Sequence, residues 1–134
     1  MSKDVLSRTI SIMSSKIAII EDDQAISQMY RIKFETEGFT VETAGNGKLG
    51  LDLIKSMQPD IILLDLMMPE MNGEEMLQLL RKTDWGKDIK VIILTNTGEQ
   101  EAPPSIKDMG VSAFILKADM TPRQVAELVK SKLA

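Results

Sequence analysis

From Lys16 onward, short runs of consecutive apolar residues alternate with helix-length segments. The first run, Lys16-Ile17-Ala18-Ile19-Ile20, is apolar at successive positions, the pattern of a strand covered on both faces. In the next segment Ile26, Met29, Tyr30 and Phe34 recur at helical spacing, and Gly38 suits a C-terminal stop. Phe39 to Thr43 has the pattern of a second strand, and Gly45-Asn46-Gly47 that of a turn. A helix then runs to about Met57, with Leu51 and Ile54 on its buried face. Pro59 ends that helix and introduces Asp60 to Asp65, DIILLD, the strongest strand signal in the chain. Asn72-Gly73 breaks the chain before a helix from Glu74 to about Lys82. Ile89 to Thr95 and Val111 to Leu116 complete five strands. The last helix has the clearest start. Thr121 is a natural N-cap, Pro122 fits the first helical position, and Gln124 completes a Thr-x-x-Gln capping box.

Five strands joined by helices imply a parallel sheet with helices on both faces, because parallel neighbours need long right-handed crossovers. That is a doubly wound α/β domain, whose chemistry collects at the carboxyl ends of the strands. Residues 1–15 are Ser-rich and lack periodicity, so they are expected to be a loosely ordered leader to a domain spanning 16–134.

Composition narrows the function classes. The net charge of −4 comes with no cluster of Lys and Arg, which weighs against binding to a nucleic-acid backbone. No apolar run approaches the length of a membrane span, and the N-terminus lacks a signal-peptide core. The chain has no cysteine, so disulfides and thiolate metal sites are excluded, and a cytoplasmic location is expected. It has no histidine either, which excludes any imidazole base, His metal ligand or phosphohistidine on this chain. Its ten methionines serve first as core filler. Trp85 is expected to lie away from the strand ends, in the loop after the third helix.

The predicted strand ends carry the candidate chemistry. The first ends in Glu21-Asp22-Asp23, the third in Asp65, the fourth in Thr95-Asn96 and the fifth in Leu116-Lys117. Crowded carboxylates repel one another, and some must protonate unless a cation is present. Oxygen ligands without His or Cys point to a hard cation, with Mg²⁺ favoured because it takes one or two carboxylates and engages phosphate oxygens. Lys117 adds a positive charge suited to a phosphoryl group, Thr95 can donate a hydrogen bond to it, and Asp65 can attack phosphorus to give an acyl phosphate. Any one of these residues alone fits an ordinary solvated or capping role.

The stretch Ile61 to Gly73, IILLDLMMPEMNG, resembles the phosphoacceptor segment of bacterial response regulator receiver domains. Ile19-Ile20-Glu21-Asp22 is similar to the acidic pair of that family. Val91 to Thr95 and Phe114 to Lys117 are similar to the segments carrying its Thr or Ser, its switch aromatic and its Lys. The resemblance extends from Lys16 to Leu133 and implies a flavodoxin-like, five-stranded parallel sheet of order 2-1-3-4-5. It further implies that Asp65 is the phosphoacceptor. Glu21, Asp22, Asp65 and the backbone carbonyl of Met67 would hold Mg²⁺, and Thr95 and Lys117 would contact the phosphoryl group. Phe114 would be the switch aromatic, with a plain core role as its alternative. A partner histidine kinase or histidine phosphotransfer protein would supply the phosphoryl group. With no second domain after Ala134, a stand-alone receiver is expected, signalling by binding an output protein rather than acting as an enzyme on other substrates.

Two features depart from the family pattern. Ala118 stands where a Pro with a cis bond is usual, so a trans bond is expected, since a non-proline cis bond costs about 2.5–4 kcal/mol. Pro103-Pro104 falls within the family's fourth helix, which predicts loop over Thr97 to Ala102 and a shortened helix at about Ser105–Met109. Leu49 and Leu53 pair along the second helix, and Ile32 and Leu79 are expected to be exposed. Two rivals stay open: a pseudo-receiver used as a constitutive binding module, and a small magnesium-dependent phosphatase. The second lacks the usual Asp two residues after its nucleophile, because Met67 stands there.

Overall fold

The computed structural model describes residues 15–96 and 102–134, and the alternating pattern appears there as five βα units. They are β1 (Lys16–Ile20), α1 (Gln24–Thr36), β2 (Thr40–Ala44), α2 (Gly47–Met57), β3 (Ile61–Asp65), α3 (Gly73–Arg81), β4 (Lys90–Thr95), α4 (Pro104–Lys107), β5 (Ala113–Leu116) and α5 (Pro122–Leu133). The strands form one parallel sheet of order β2-β1-β3-β4-β5. Order reverses beside β1, so the crevice of a doubly wound sheet opens at the carboxyl ends of β1 and β3.

The continuous apolar runs divide their side chains between two layers, as a strand with a period of two must. Ile17, Ile19, Ile61, Leu63, Ile92 and Leu94 face Tyr30 and Phe34 of α1 and Val125 and Val129 of α5. Ala18, Ile20, Ile62, Leu64, Val91 and Ile93 face Ile54 of α2, Met76, Leu77 and Leu80 of α3, and Ile106 of α4. All five residues of β3 are buried, which makes it the axis of the domain.

The helix starts follow local chemistry. Asp23, Asn46 and Asn72 each accept a hydrogen bond from the backbone N–H three residues on, at Ile26, Leu49 and Glu75. Thr121 and Gln124 form both bonds of the capping box.

Several boundaries differ from the sequence expectation. Met29 lies outward at 42% exposure, because Ser27, Tyr30 and Phe34 form the buried face of α1. Phe39 is buried but precedes β2, and Asp60 precedes β3, where it accepts the Lys16 N–H at 2.7 Å. Gly47 is the first residue of α2 rather than part of a turn. Gly50 and Ile54 take the inner face there, and Leu51 is only half-buried. Strand β5 begins at Ala113 because Val111 and Ser112 lie outside the ladder. The short α4 opens on Pro104, whose missing N–H a first-turn position does not need, and it ends before Met109. The leader expected over 1–15 lies outside the described residues apart from Ser15, and so does most of the expected loop, residues 97–101. Ile32, Leu49 and Leu79 are exposed, and Trp85 packs half-buried against the α2–α4 layer.

Candidate functional site

Each functional side chain is held by the backbone at the carboxyl end of a strand or just beyond it. The Glu21 N–H donates to the Ala44 carbonyl at 3.0 Å, extending the β1–β2 ladder by one residue. Asp65 is the last residue of β3 and pairs with Leu94; Thr95 closes β4. The Lys117 N–H donates to the Thr95 carbonyl at 2.9 Å, which keeps Lys117 in register past the end of β5. A turn closed by the Asp119 N–H on the Leu116 carbonyl at 2.9 Å follows, and no cis peptide bond occurs among the described residues. The expected trans bond at Ala118 is therefore present, and Lys117 still reaches the site.

These positions bring together Glu21, Asp65, Thr95 and Lys117, with Asp22 exposed at the rim. Lys117 Nζ lies 2.9 Å from Glu21 Oε2 and 3.5 Å from Asp65 Oδ2, so one ammonium spans two buried carboxylates. The contact to Glu21 is an ion pair in distance, but Oε2 receives no bond of hydrogen-bond geometry. The Met67 N–H donates to Asp65 Oδ1 at 3.2 Å, and the Asp23 N–H to Glu21 Oε1 at 3.2 Å. Phe114 lies on β5 beside Ile93, half-buried and packed against the α2–α4 layer.

Close packing fixes the loop after Asp65. A β-carbon on Gly73 would stand 2.3 Å from the Asp65 carbonyl oxygen, and the Gly73 N–H donates to the Leu66 carbonyl at 3.0 Å. From the other side the Gly47 N–H donates to the Met71 carbonyl at 3.0 Å, and a β-carbon there would stand 2.6 Å from the same oxygen. Both glycines are required by approach distance rather than by dihedral angle.

Burial and charge set the proton affinities. Burial, reinforced by the negative charge of Glu21, raises the Asp65 carboxyl to about 6, against the opposing pull of Lys117 and the Met67 N–H. Burial alone would lower Lys117, but Glu21 and Asp65 outweigh it and hold the ammonium above its ordinary value. The Tyr30 phenol is raised by burial, with the charges of Lys117 and Glu21 acting on it from the site above.

The residues fit a divalent cation. Glu21, Asp22 and Asp65 each offer a carboxylate oxygen, all within 4.8 Å of one another, and Glu21 Oε2 is buried without a hydrogen bond. A hard cation with oxygen ligands would satisfy that atom and offset both the burial and the Glu21 charge that raise Asp65.

The family model for the response regulator receiver domain matches residues 17–130. The chain belongs to this family. Receiver domains are phosphoacceptor signalling domains of two-component systems and partner with histidine kinases. This receiver domain is 37% identical over 102 residues to the DNA-binding dual master transcriptional regulator RpaA of Synechocystis, covering 76% of the chain and 42% of that protein. It is 39% identical over 105 residues to the response regulator MprA of Mycolicibacterium vanbaalenii, covering 78% and 45%. The chain thus spans less than half the length of these two relatives. Among solved structures, a CheY-like receiver domain protein from Methanospirillum hungatei superposes with a TM-score of 0.79 at 31% identity, covering 90% of this chain and 94% of that one. The chemotaxis response regulator CheY4 of Vibrio cholerae superposes at 0.81 with 24% identity, covering 90% and 99%, and shows the same fold.

Sequence reasoning missed three contributors to the receiver's site and frame. Tyr30 was a core aromatic by periodicity, and nothing local signals that charges from two other loops reach it. Gly47 looked like a turn residue rather than a clamp on the Met71 backbone. Arg81, at the end of α3, donates to the carbonyls of Met109, Gly86, Lys87, Ile89 and Gly110 at 2.7–3.4 Å, tying two loops at the opposite edge of the sheet. A planar fork with five donors suits this task.

Proposed function

We propose that this receiver accepts a phosphoryl group on Asp65 from the phosphohistidine of a histidine kinase or histidine phosphotransfer protein, and that the modified domain binds an output partner. The observation that carries this reading is the placement of Lys117 Nζ across Glu21 and Asp65, at 2.9 and 3.5 Å. The same ammonium that now offsets carboxylate charge would offset the charge of a phosphoryl group.

Asp65 Oδ attacks phosphorus, the P–N bond of the donor breaks, and the donor imidazole leaves with the electron pair. The Met67 N–H orients the carboxylate for that attack. Glu21, Asp22, Asp65 and the Met67 carbonyl are the proposed ligands of Mg²⁺, which when bound supplies charge neutralisation for the transferring oxygens. Thr95 and Lys117 contact the arriving oxygens. Phe114 moves inward as Thr95 turns toward them. Water later cleaves the acyl phosphate, so the domain turns over only its own modification. The signal is a shift between two conformations, driven by contacts stronger in one of them. Residues 16–134 form the receiver, acting in the cytoplasm without touching nucleic acid itself.

The test is intact-mass measurement after incubation with a small phosphodonor such as acetyl phosphate, with and without Mg²⁺. A labile gain of one phosphoryl group, dependent on Mg²⁺ and lost in Asp65→Asn, is expected. No gain with any donor, together with no measurable Mg²⁺ binding, would sink the reading in favour of a constitutive binding module.

A further inference from the structure

Apart from Tyr30, four polar or charged residues are buried among the described residues: Glu21, Ser27, Asp65 and Thr95. Three of them form the candidate site. The other, Ser27, lies on the inner face of α1 ahead of Tyr30 and Phe34, at 5% exposure. A hydroxyl inside a helix often turns back onto a carbonyl one turn earlier. Thr36 does so to Ile32 at 2.7 Å, and Ser131 to Leu128 at 2.6 Å. The Ser27 hydroxyl does not. The Asp23 carbonyl receives the Ser27 backbone N–H at 2.9 Å, and the hydroxyl makes no hydrogen bond among the described residues.

Ser27 and Glu21 line one cavity of about 270 Å³, together with Gln24, Gln28 and Thr43. That volume has room for several water molecules, and its polar walls suit ordered water. Helical side chains lean toward the helix N-terminus, so Ser27 leans toward the Glu21 end of α1. Glu21 is short of donors. Its Oε1 accepts the Asp23 N–H at 3.2 Å, while Oε2 faces Lys117 Nζ at 2.9 Å without hydrogen-bond geometry. A carboxylate has about four acceptor positions, and burying one is costly until they are filled. A cation arriving at Oε2 displaces Lys117, removing one of the two groups that orient Glu21.

We propose that Ser27 is a positioning residue for Glu21: its hydroxyl holds a water molecule in this cavity, and that water donates to the Glu21 carboxylate and keeps it turned toward the cation. This rests on the reading of Glu21, Asp22 and Asp65 as a Mg²⁺ site. The Ser27 O–H donates to the water oxygen. The water donates one hydrogen to Glu21 and the other to the Thr43 hydroxyl or the Gln24 amide oxygen. Ser27 touches neither the cation nor the phosphoryl group and acts through Glu21 alone. Metal ligands depend on outer partners of this kind for their orientation.

The test is calorimetric titration of the full chain with MgCl₂, for wild type, Ser27→Ala and Ser27→Cys under a reductant, beside urea melts of each in EDTA. Cysteine fills nearly the volume of serine but is a weak donor, so the two variants separate packing from hydrogen bonding. Both should bind Mg²⁺ about three- to tenfold more weakly than the wild type. Their urea midpoints should match the wild type, since no bond within the protein is lost. Wild-type affinity in Ser27→Ala overturns this proposal alone. So does wild-type affinity in Ser27→Cys beside weak binding in Ser27→Ala, which assigns Ser27 to packing. Weaker binding with a lowered urea midpoint in both variants assigns it to the fold and overturns the proposal as well. A wild type that binds no Mg²⁺ removes the metal-site reading and this proposal with it.

Discussion

The ammonium of Lys117 stands closer to Glu21, at 2.9 Å, than to Asp65, at 3.5 Å. It therefore acts first as the counter-ion of a candidate metal ligand. A cation binding at Glu21 must compete with it, at a cost that falls with screening by solvent. Lys117→Ala should then bind Mg²⁺ more tightly than the wild type, roughly three- to tenfold, while accepting the phosphoryl group more slowly. Calorimetric titration with MgCl₂ and the rate of mass gain with acetyl phosphate check the two halves. Weaker Mg²⁺ binding in the variant would contradict the competition.

The raised Asp65 carboxyl makes metal-free stability depend on pH. In the unfolded chain an Asp ionises near pH 4, whereas the folded carboxyl does so at about 6. Between those values the folded state binds more protons, so stability falls as pH rises through the window and levels off above it. Asp65→Asn lacks this slope and should be more stable than the wild type at pH 7 without divalent ions, by on the order of 1–3 kcal/mol. Urea midpoints at pH 4.5 and 7, with EDTA, measure the difference. Adding Mg²⁺ should narrow the gap by binding the folded wild type alone.

Arg81 should matter to the fold and not to the chemistry. Its five carbonyl partners span Gly86 to Ile89 and Met109 to Gly110, remote from Asp65. Arg81→Ala removes the side-chain donor from the part-buried carbonyls of Met109, Gly86 and Ile89 and should cost about 1–3 kcal/mol. Arg81→Lys keeps the charge but loses the fork, and should recover less than half of that. Both variants should keep wild-type Mg²⁺ affinity at temperatures where they remain folded. Denaturant melts paired with a metal titration separate the two effects.

What was legible in the sequence was what local chemistry decides. The run Ile61 to Asp65 reads as a buried strand because nothing polar interrupts it before the aspartate. The capping box at Thr121 is written in three residues. Strand ends then place Glu21, Asp65, Thr95 and Lys117 at one edge, since a parallel sheet gathers them there. The phase of α1 was less legible. Ser27, not Met29, lies inward, and a small polar residue carries no hydrophobic signal. Gly50 takes an inner position of α2 because a β-carbon there would stand 2.9 Å from Ile20 Cγ2 and 3.0 Å from Met76 Sδ. That distance is set by how three elements meet. Arg81 looked like an ordinary helix-end cation for the same reason: its partners are carbonyls from distant loops.

The glycine pair around the phosphoacceptor loop gives the sharpest steric test. Gly45, Gly47 and Gly73 all have ordinary negative or extended φ, so alanine is permitted by the backbone at each and only space distinguishes them. At Gly45 an added β-carbon meets nothing within 4 Å, and Gly45→Ala should be neutral to within about 0.5 kcal/mol. At Gly47 it would stand 2.6 Å from the Met71 carbonyl oxygen, so the loop from Leu66 to Asn72 must move. Gly47→Ala should cost about 1–3 kcal/mol. Because that loop also carries the Met67 N–H on Asp65, Mg²⁺ affinity and phosphoryl uptake should fall as well. At Gly73 the contact is with Asp65's own carbonyl oxygen at 2.3 Å, where neither backbone can yield, and the alanine variant should be the least stable of the three. Urea melts rank the stabilities, and titration of folded Gly47→Ala with MgCl₂ reads the loop shift separately. Wild-type metal affinity in a destabilised Gly47→Ala would mean that the clamp holds the fold without holding the site.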